Sequence, residues 1–211
     1  MARGKPGLWS AVVGVPFIIL GAWFYLFQTE FPPTAGLPFA VFGLFIVAIG
    51  AYIQFVASPK APRMGDDEDV VMRRHPTQRV ATVKIALGFP FLFGTVYLFY
   101  FTYYPYVYPT VTLVVGLYLL STGLYTYWSN SLTTYYVTTE RVMKEYRFLS
   151  LIRQELPLDK IRGVQERKSV TEALVGLGNV GVASGGGRSL VIKMRNMEGS
   201  DDFADSIRKL L

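Results

Sequence analysis

Apolar and polar positions follow two regimes along the chain. Between Ala11 and Phe55 the sole Asp, Glu, Lys, Arg or His is Glu30, and between Ile85 and Ser129 there is none. A helix crossing the hydrocarbon core of a bilayer needs roughly 20 apolar residues. Residues 8–27, 36–56, 83–103 and 107–128 reach that length and predict four spans. The first is not a cleavable signal: its apolar run exceeds the usual ~7–15 residues, and Trp23, Phe24 and Tyr25 stand where small residues would be required. The connections 29–35 and 104–106 are short and contain proline, so the spans pair as two hairpins.

From Thr133 the period changes to two, with many β-branched and aromatic residues. Residues 134–139 and 142–148 read as strands joined by a tight turn at Glu140-Arg141, followed by strands at 151–156, 163–169, 178–184 and 189–195. Residues 200–211 read as a helix, with Ser200 or Asp201 as its cap and Asp201, Asp202 and Asp205 at its positive end. Phe203, Ile207, Leu210 and Leu211 give it an apolar face. Short antiparallel strands closed by one amphipathic helix make a small barrel or sandwich whose open end the helix covers.

The expected organisation is therefore a first hairpin (1–57), a mixed-charge cytoplasmic loop (58–82), a second hairpin (83–128) and a cytoplasmic β-domain (129–211). The two hairpins resemble each other. Gly14-Val15-Pro16-Phe17 matches Gly88-Phe89-Pro90-Phe91, Gly21 matches Gly94, and Phe31-Pro32 matches Tyr104-Pro105. Further on, Gly43 matches Gly116, and Gly50-Ala51-Tyr52 matches Gly123-Leu124-Tyr125. The constant offset after a single-residue gap points to duplication. Gly43 and Gly50, like Gly116 and Gly123, share one helix face and are expected to permit close helix packing. Pro16 and Pro90 are expected to kink their helices.

Composition agrees with two unlike parts: the 211 residues are 51% hydrophobic yet 17% charged. The absence of cysteine excludes disulfides, thiolate metal sites and cysteine nucleophiles. The net charge of +6 sits mostly beside the apolar stretches, which directs attention to a membrane surface and away from nucleic acid. Arg3 and Lys5 precede the first span, and Lys60, Arg63, Arg73, Arg74, Arg79 and Lys84 lie around the central loop, whereas the tight turns carry no Lys or Arg. By the positive-inside rule both termini and the central loop face the cytoplasm of a multi-pass plasma-membrane protein. The span interiors hold no charge of the kind that transporters use, so an anchor is favoured over a transporter or channel subunit.

Candidate chemistry is sparse. Gly176-Leu177-Gly178-Asn179-Val180-Gly181 has the spacing of a dinucleotide loop but leads into Val182-Ala183-Ser184-Gly185, which cannot open a helix. Gly185-Gly186-Gly187-Arg188 reads as a hairpin tip before it reads as an anion nest, and no Lys-Ser/Thr follows it. Asp66-Asp67-Glu68-Asp69 lacks calcium-loop spacing, and His75, the one histidine, has no nucleophile beside it. Neither a catalytic site nor a cofactor or metal is expected. The residues best suited to contact anionic lipid or a protein partner are Arg73, Arg74, Arg79, Lys84, Lys144, Arg147 and Arg153.

Several motifs carry a resemblance. They are Tyr135-Tyr136-Val137-Thr138-Thr139-Glu140-Arg141-Val142, Leu156-Pro157-Leu158-Asp159-Lys160-Ile161 with Val164-Gln165, and Leu177-Gly178-Asn179-Val180-Gly181-Val182. Upstream, Glu68-Asp69-Val70-Val71 precedes His75-Pro76. In this order around a membrane hairpin they resemble the bacterial PH-like domain family of the YdbS/YdbT type, over residues 66–211. The turn Phe148-Leu149-Ser150 departs from the family in lacking glycine. The resemblance implies a membrane-tethered PH-like module without assigned enzyme chemistry. The basic residues and the membrane anchor, taken with it, lead us to expect anionic headgroups, a protein partner or a second copy of the chain as what the module binds. The phosphoinositide grip of eukaryotic PH domains does not carry over, because Thr139-Glu140-Arg141 is too short and too mixed in charge. At about 80 residues the β-domain alone is small, and it is expected to pack against residues 66–79 or another subunit.

Overall fold

A computed structural model describes residues 4–27, 29, 32–57, 64–65, 67–148, 150–169, 172, 176–185 and 191–211, without the Val191 side chain. Arg3, Phe31, Lys60, Arg63, Asp66, Leu149 and the segment 186–190, all invoked above, lie outside the described residues. The chain divides into two compact units, one comprising Met1–Ala61 with Arg147–Ser150 and the other Pro62–Tyr146 with Leu151–Leu211.

The first unit is a helical hairpin. Helix α1 (Pro6–Phe27) begins on a proline, whose missing N–H is no loss in a first turn. A 3₁₀ turn (Pro33–Gly36) leads into α2 (Leu37–Phe55). Both helices are long and apolar enough to cross a membrane. Their base is tied by the Gln54 side-chain oxygen, which accepts from the Gly7 N–H at 2.9 Å. The Phe148 ring also belongs to this unit and meets Tyr52 edge-on at 5.7 Å.

In the second unit, strand β1 (Val70–Arg74) precedes helices α3 (Arg79–Phe101) and α4 (Val107–Ser131), which also have the length and hydropathy of membrane spans. Among the described residues six strands follow: β2 (Thr133–Thr138), β3 (Arg141–Arg147), β4 (Leu151–Pro157), β5 (Ile161–Arg167), β6 (Leu177–Ser184) and β7 (Val191–Glu198). Helix α5 (Ser200–Leu210) closes the chain. The strands form two antiparallel sheets, ordered β1-β2-β3-β4 and β5-β6-β7. Between them, Val137, Val142, Leu156, Val180, Val182, Ile192 and Met194 make a core that Phe203, Ala204 and Ile207 of α5 cover.

Four apolar helices followed by a helix-capped β-domain is the expected fold class. The structure changes three details. The segment read as loop contains β1, which pairs with β2 from Val70↔Thr138 to Arg74↔Tyr135. Its side chains alternate poorly between polar and apolar, because an edge strand of this kind needs little burial (Val70 and Val71 are both exposed). Helix α5 is capped by Gly199 in the left-handed region (φ 63°), not by a side chain, since the Ser200 hydroxyl donates to Glu166 at 2.6 Å instead. Leu211 is exposed and does not extend the apolar face.

Candidate functional site

Strand β7 alternates strictly at first, with Ile192 and Met194 buried in the core and Lys193 and Arg195 exposed. The alternation then slips: Val180 faces Met194 while Gly178 faces Met197, so β7 carries one extra residue. This bulge leaves Arg195 and Asn196 together on the outer side. Asn196 takes the left-handed conformation (φ 54°) that asparagine tolerates better than most residues. Its N–H donates to Asn179 Oδ1 at 3.0 Å, and its carbonyl accepts from Thr77 N–H at 2.7 Å.

That last bond ties β7 to a polar latch between the start of α3 and the end of α4. Asn130 Nδ2 donates to the Thr77 carbonyl at 2.9 Å, and Gln78 Nε2 donates to Ser131 Oγ at 2.9 Å and to the Tyr127 carbonyl at 3.2 Å. His75 Nδ1 lies 3.3 Å from the Thr133 carbonyl and 3.2 Å from Thr134 Oγ1. His75, read from sequence as a loop residue beside Pro76, thus ties the approach to α3 to the start of β2.

Beside the latch is a cleft of about 540 Å³, within the usual range for small-molecule sites. Lys84 of α3, Lys144 of β3 and Lys193 and Arg195 of β7 line it, and among the described residues no Asp or Glu does. Tyr125, Ser129 and Gln154 add polar groups. Burial, reinforced by the positive charge of Arg195, holds the Lys144 ammonium below its usual pKa. Its Nζ donates to the Lys193 carbonyl at 3.1 Å. Two further spaces adjoin. One of about 270 Å³ shares Ser129 and Lys144 and adds Tyr146 and Ile152, while one of about 580 Å³ shares Lys193 and Arg195 and reaches Arg167.

A second cluster fastens β1 and the turn between β2 and β3. Glu68, whose side chain is fully buried, accepts from Arg141 Nε at 2.9 Å and Nη2 at 2.7 Å, and from Thr138 Oγ1 at 2.7 Å. The Arg141 guanidinium, outweighing burial, holds the Glu68 carboxyl down at about 2, and Glu68 in turn raises Arg141. Arg141 Nη1 also meets Glu155 at 2.7 Å. The one cation in the β2–β3 turn is therefore committed to carboxylates, and a headgroup would find no spare charge there.

The residues singled out from sequence are dispersed. Lys84 and Lys144 share the cleft, but Arg79 pairs with Glu198 at 3.2 Å and Arg153 with Glu145 at 3.2 Å. Arg73 lies over the Tyr136 ring, 5.3 Å from its centroid, Arg74 is exposed on β1, and Arg147 is half-buried at the end of β3. Sequence reasoning missed Lys193 and Arg195. Their signal was present as two cations at period two opposite Ile192 and Met194. Gly43 lies against the Gly14 carbonyl and Ile18, Gly50 against Ser10, Gly116 against Leu92 and Gly123 against Ile85, each leaving no room for a Cβ without movement. Among the described residues no group of three or more His, Asp or Glu side chains could hold a metal ion.

Residues 85–211 match the family described as Bacterial PH domain, a segment that runs from α3 through α5. No curated protein and no solved structure matches the chain.

Proposed function

The chain belongs to the bacterial PH domain family, and from that premise we propose that it is a membrane-anchored, non-catalytic interaction module. Its helices hold the β-domain at the cytoplasmic membrane face, where the domain binds a protein partner or anionic lipid headgroups. The closer likeness to the YdbS/YdbT type is part of the same reading. One observation carries it. Strand β1 runs into α3 and α4 runs into β2, so the sheet grows directly from both ends of a span-length hairpin and cannot drift from it. The basic residues at that end would sit among headgroups, where each contributes about 1 kcal/mol of attraction to anionic lipid.

The absence of cysteine makes the test clean. Single cysteines introduced as Asp205→Cys in α5 and Tyr103→Cys in the turn between α3 and α4 are treated with a membrane-impermeant maleimide. In intact cells only the turn position reacts, and in inverted vesicles only the α5 position does. The reverse pattern removes the reading. Selective solute or ion flux in proteoliposomes of the purified chain would replace it with a transporter or channel subunit.

A further inference from the structure

We propose that the cleft beneath α3 and α4 is a binding site for a phosphate-bearing anionic group, held by Lys84, Lys144, Lys193 and Arg195. The proposal rests on the anchored-module reading above for where the cleft lies. Charge is the first argument. Like charges gathered without counter-charge are unfavourable in the empty protein, and nearby carboxylates do not relieve them. Glu145 is turned to Arg153, Glu198 to Arg79 and Glu155 to Arg141, and Glu172, which lines the adjoining space with Lys193 and Arg195, accepts from Ser169 N–H at 2.9 Å and Asn179 Nδ2 at 2.8 Å. Among the ion pairs of the described residues none involves the four cleft cations. An anionic occupant supplies what the lining omits.

Shape is the second. A guanidinium offers a planar fork suited to phosphate oxygens, and ammonium groups add point charges that reach around it. The bulge on β7 aims Arg195 at this space together with Asn196. A volume of about 540 Å³ admits a phosphate with a glycerol-sized substituent and is too small for a folded partner or a length of nucleic acid. The surroundings of the cleft favour a lipid as the source of that group. Lys84 and Tyr125 are carried on spans, and the adjoining recess presents Tyr146 and an exposed Ile152, an amphipathic exit fitting the glycerol and first acyl carbons of a lipid.

The full chain is reconstituted in nanodiscs or detergent and titrated with phosphatidic acid, phosphatidylcholine and soluble glycerol 3-phosphate, with bound ligand read by native mass spectrometry. Wild type binds phosphatidic acid at least about tenfold tighter than phosphatidylcholine. Lys193→Gln with Arg195→Gln, both exposed on β7, loses about tenfold or more, the size expected for two interfacial cations. Lys160→Gln with Lys209→Gln, exposed outside the cleft, stays within about twofold of wild type. Glycerol 3-phosphate bound as tightly as the lipid, with the same dependence on Lys193 and Arg195, assigns the site to a soluble phosphate. Lipid bound more tightly assigns it to a headgroup. Equal affinity of wild type and the β7 double variant overturns the site, as does equal loss in the control. If the α5 cysteine is cytoplasmic and no cleft-dependent binding occurs, only this proposal fails. If the α5 cysteine is external, the anchoring reading fails first.

Discussion

The two helical hairpins repeat one packing scheme and then use it differently. In both, the early glycine of the first helix abuts the carbonyl of the middle glycine of the second: Gly14 against Gly43, and Gly88 against Gly116. In both, the later glycine of the second helix meets the residue four positions before that early glycine, Ser10 against Gly50 and Lys84 against Gly123. Towards the turns that join their helices they part. Gly21 is wedged between Gly36 and Ala40, whereas Gly94, its counterpart, has open space around it. The α1–α2 hairpin is held by steric fit along its length. The α3–α4 hairpin is fitted at its base, looser at its turn, and fastened by polar groups to a sheet. The first should therefore fail through volume and the second through charge.

Removing a charge in the second unit should have the largest effect. Glu68→Ala leaves Arg141 partly buried with one partner fewer, and truncating one member of a buried pair costs about 3–5 kcal/mol. Thermal unfolding of the purified chain in detergent, followed through the β-sheet signal, should show it. An unchanged transition would mean that the clasp is decorative. The same carboxylate predicts a pH dependence. Its folded pKa of about 2 lies below the ordinary value of 4.5, so its stabilisation is present above pH 4.5 and is lost as pH falls towards 2. The drop across that window should reach ~3 kcal/mol and should flatten in Glu68→Gln. A wild-type acid profile no steeper than that of Glu68→Gln contradicts the assignment.

Volume is the matching probe of the first hairpin. A methyl at Gly21 would meet backbone atoms of Gly36 and Ala40, and overpacking of this kind costs about 1–3 kcal/mol. Gly94→Ala meets nothing, and by reducing backbone freedom in a helix it should stabilise by roughly 0.5–1 kcal/mol. Resistance of the intact chain to unfolding in mixed micelles measures both. Opposite signs at equivalent positions uphold the comparison, and equal signs dissolve it.

Much of this was legible in the residues. Span lengths, the glycine stations and the closing helix follow from hydropathy and period, because each buries an apolar face that the sequence must encode continuously. Strand β1 was hidden because an exposed edge strand imposes no burial pattern, and Val70-Val71-Met72 reads as any short apolar run. The resemblance in Glu68 and His75-Pro76 marked that stretch without explaining it. Its reason is a contact about 70 residues away in the chain, between Glu68 and Arg141. The cleft was half legible for a similar reason. Lys84 and Lys144 stood out as cations, but their convergence with Lys193 and Arg195 depends on a bulge that no local pattern announces.

The smallest effect lies where the looser hairpin compensates for its open turn. Beside Gly94, Thr95 Oγ1 and Thr112 Oγ1 lie 2.9 Å apart across α3 and α4; one hydroxyl donates to the other, and the accepting one turns its own proton back to a carbonyl of its helix. In the first hairpin the corresponding level is filled by rings, with Phe24 and Phe39 stacked at 6.0 Å. A hydroxyl pair between apolar helices contributes only about 0.6 kcal/mol on average, since each partner keeps a backbone carbonyl as an alternative. Thr95→Val should therefore cost no more than ~1 kcal/mol, and Thr95→Val with Thr112→Val should cost little more than either alone. A loss of several kcal/mol from the single substitution would show that polar contacts, and not the glycine stations at Gly88 and Gly116, set how α3 and α4 pack.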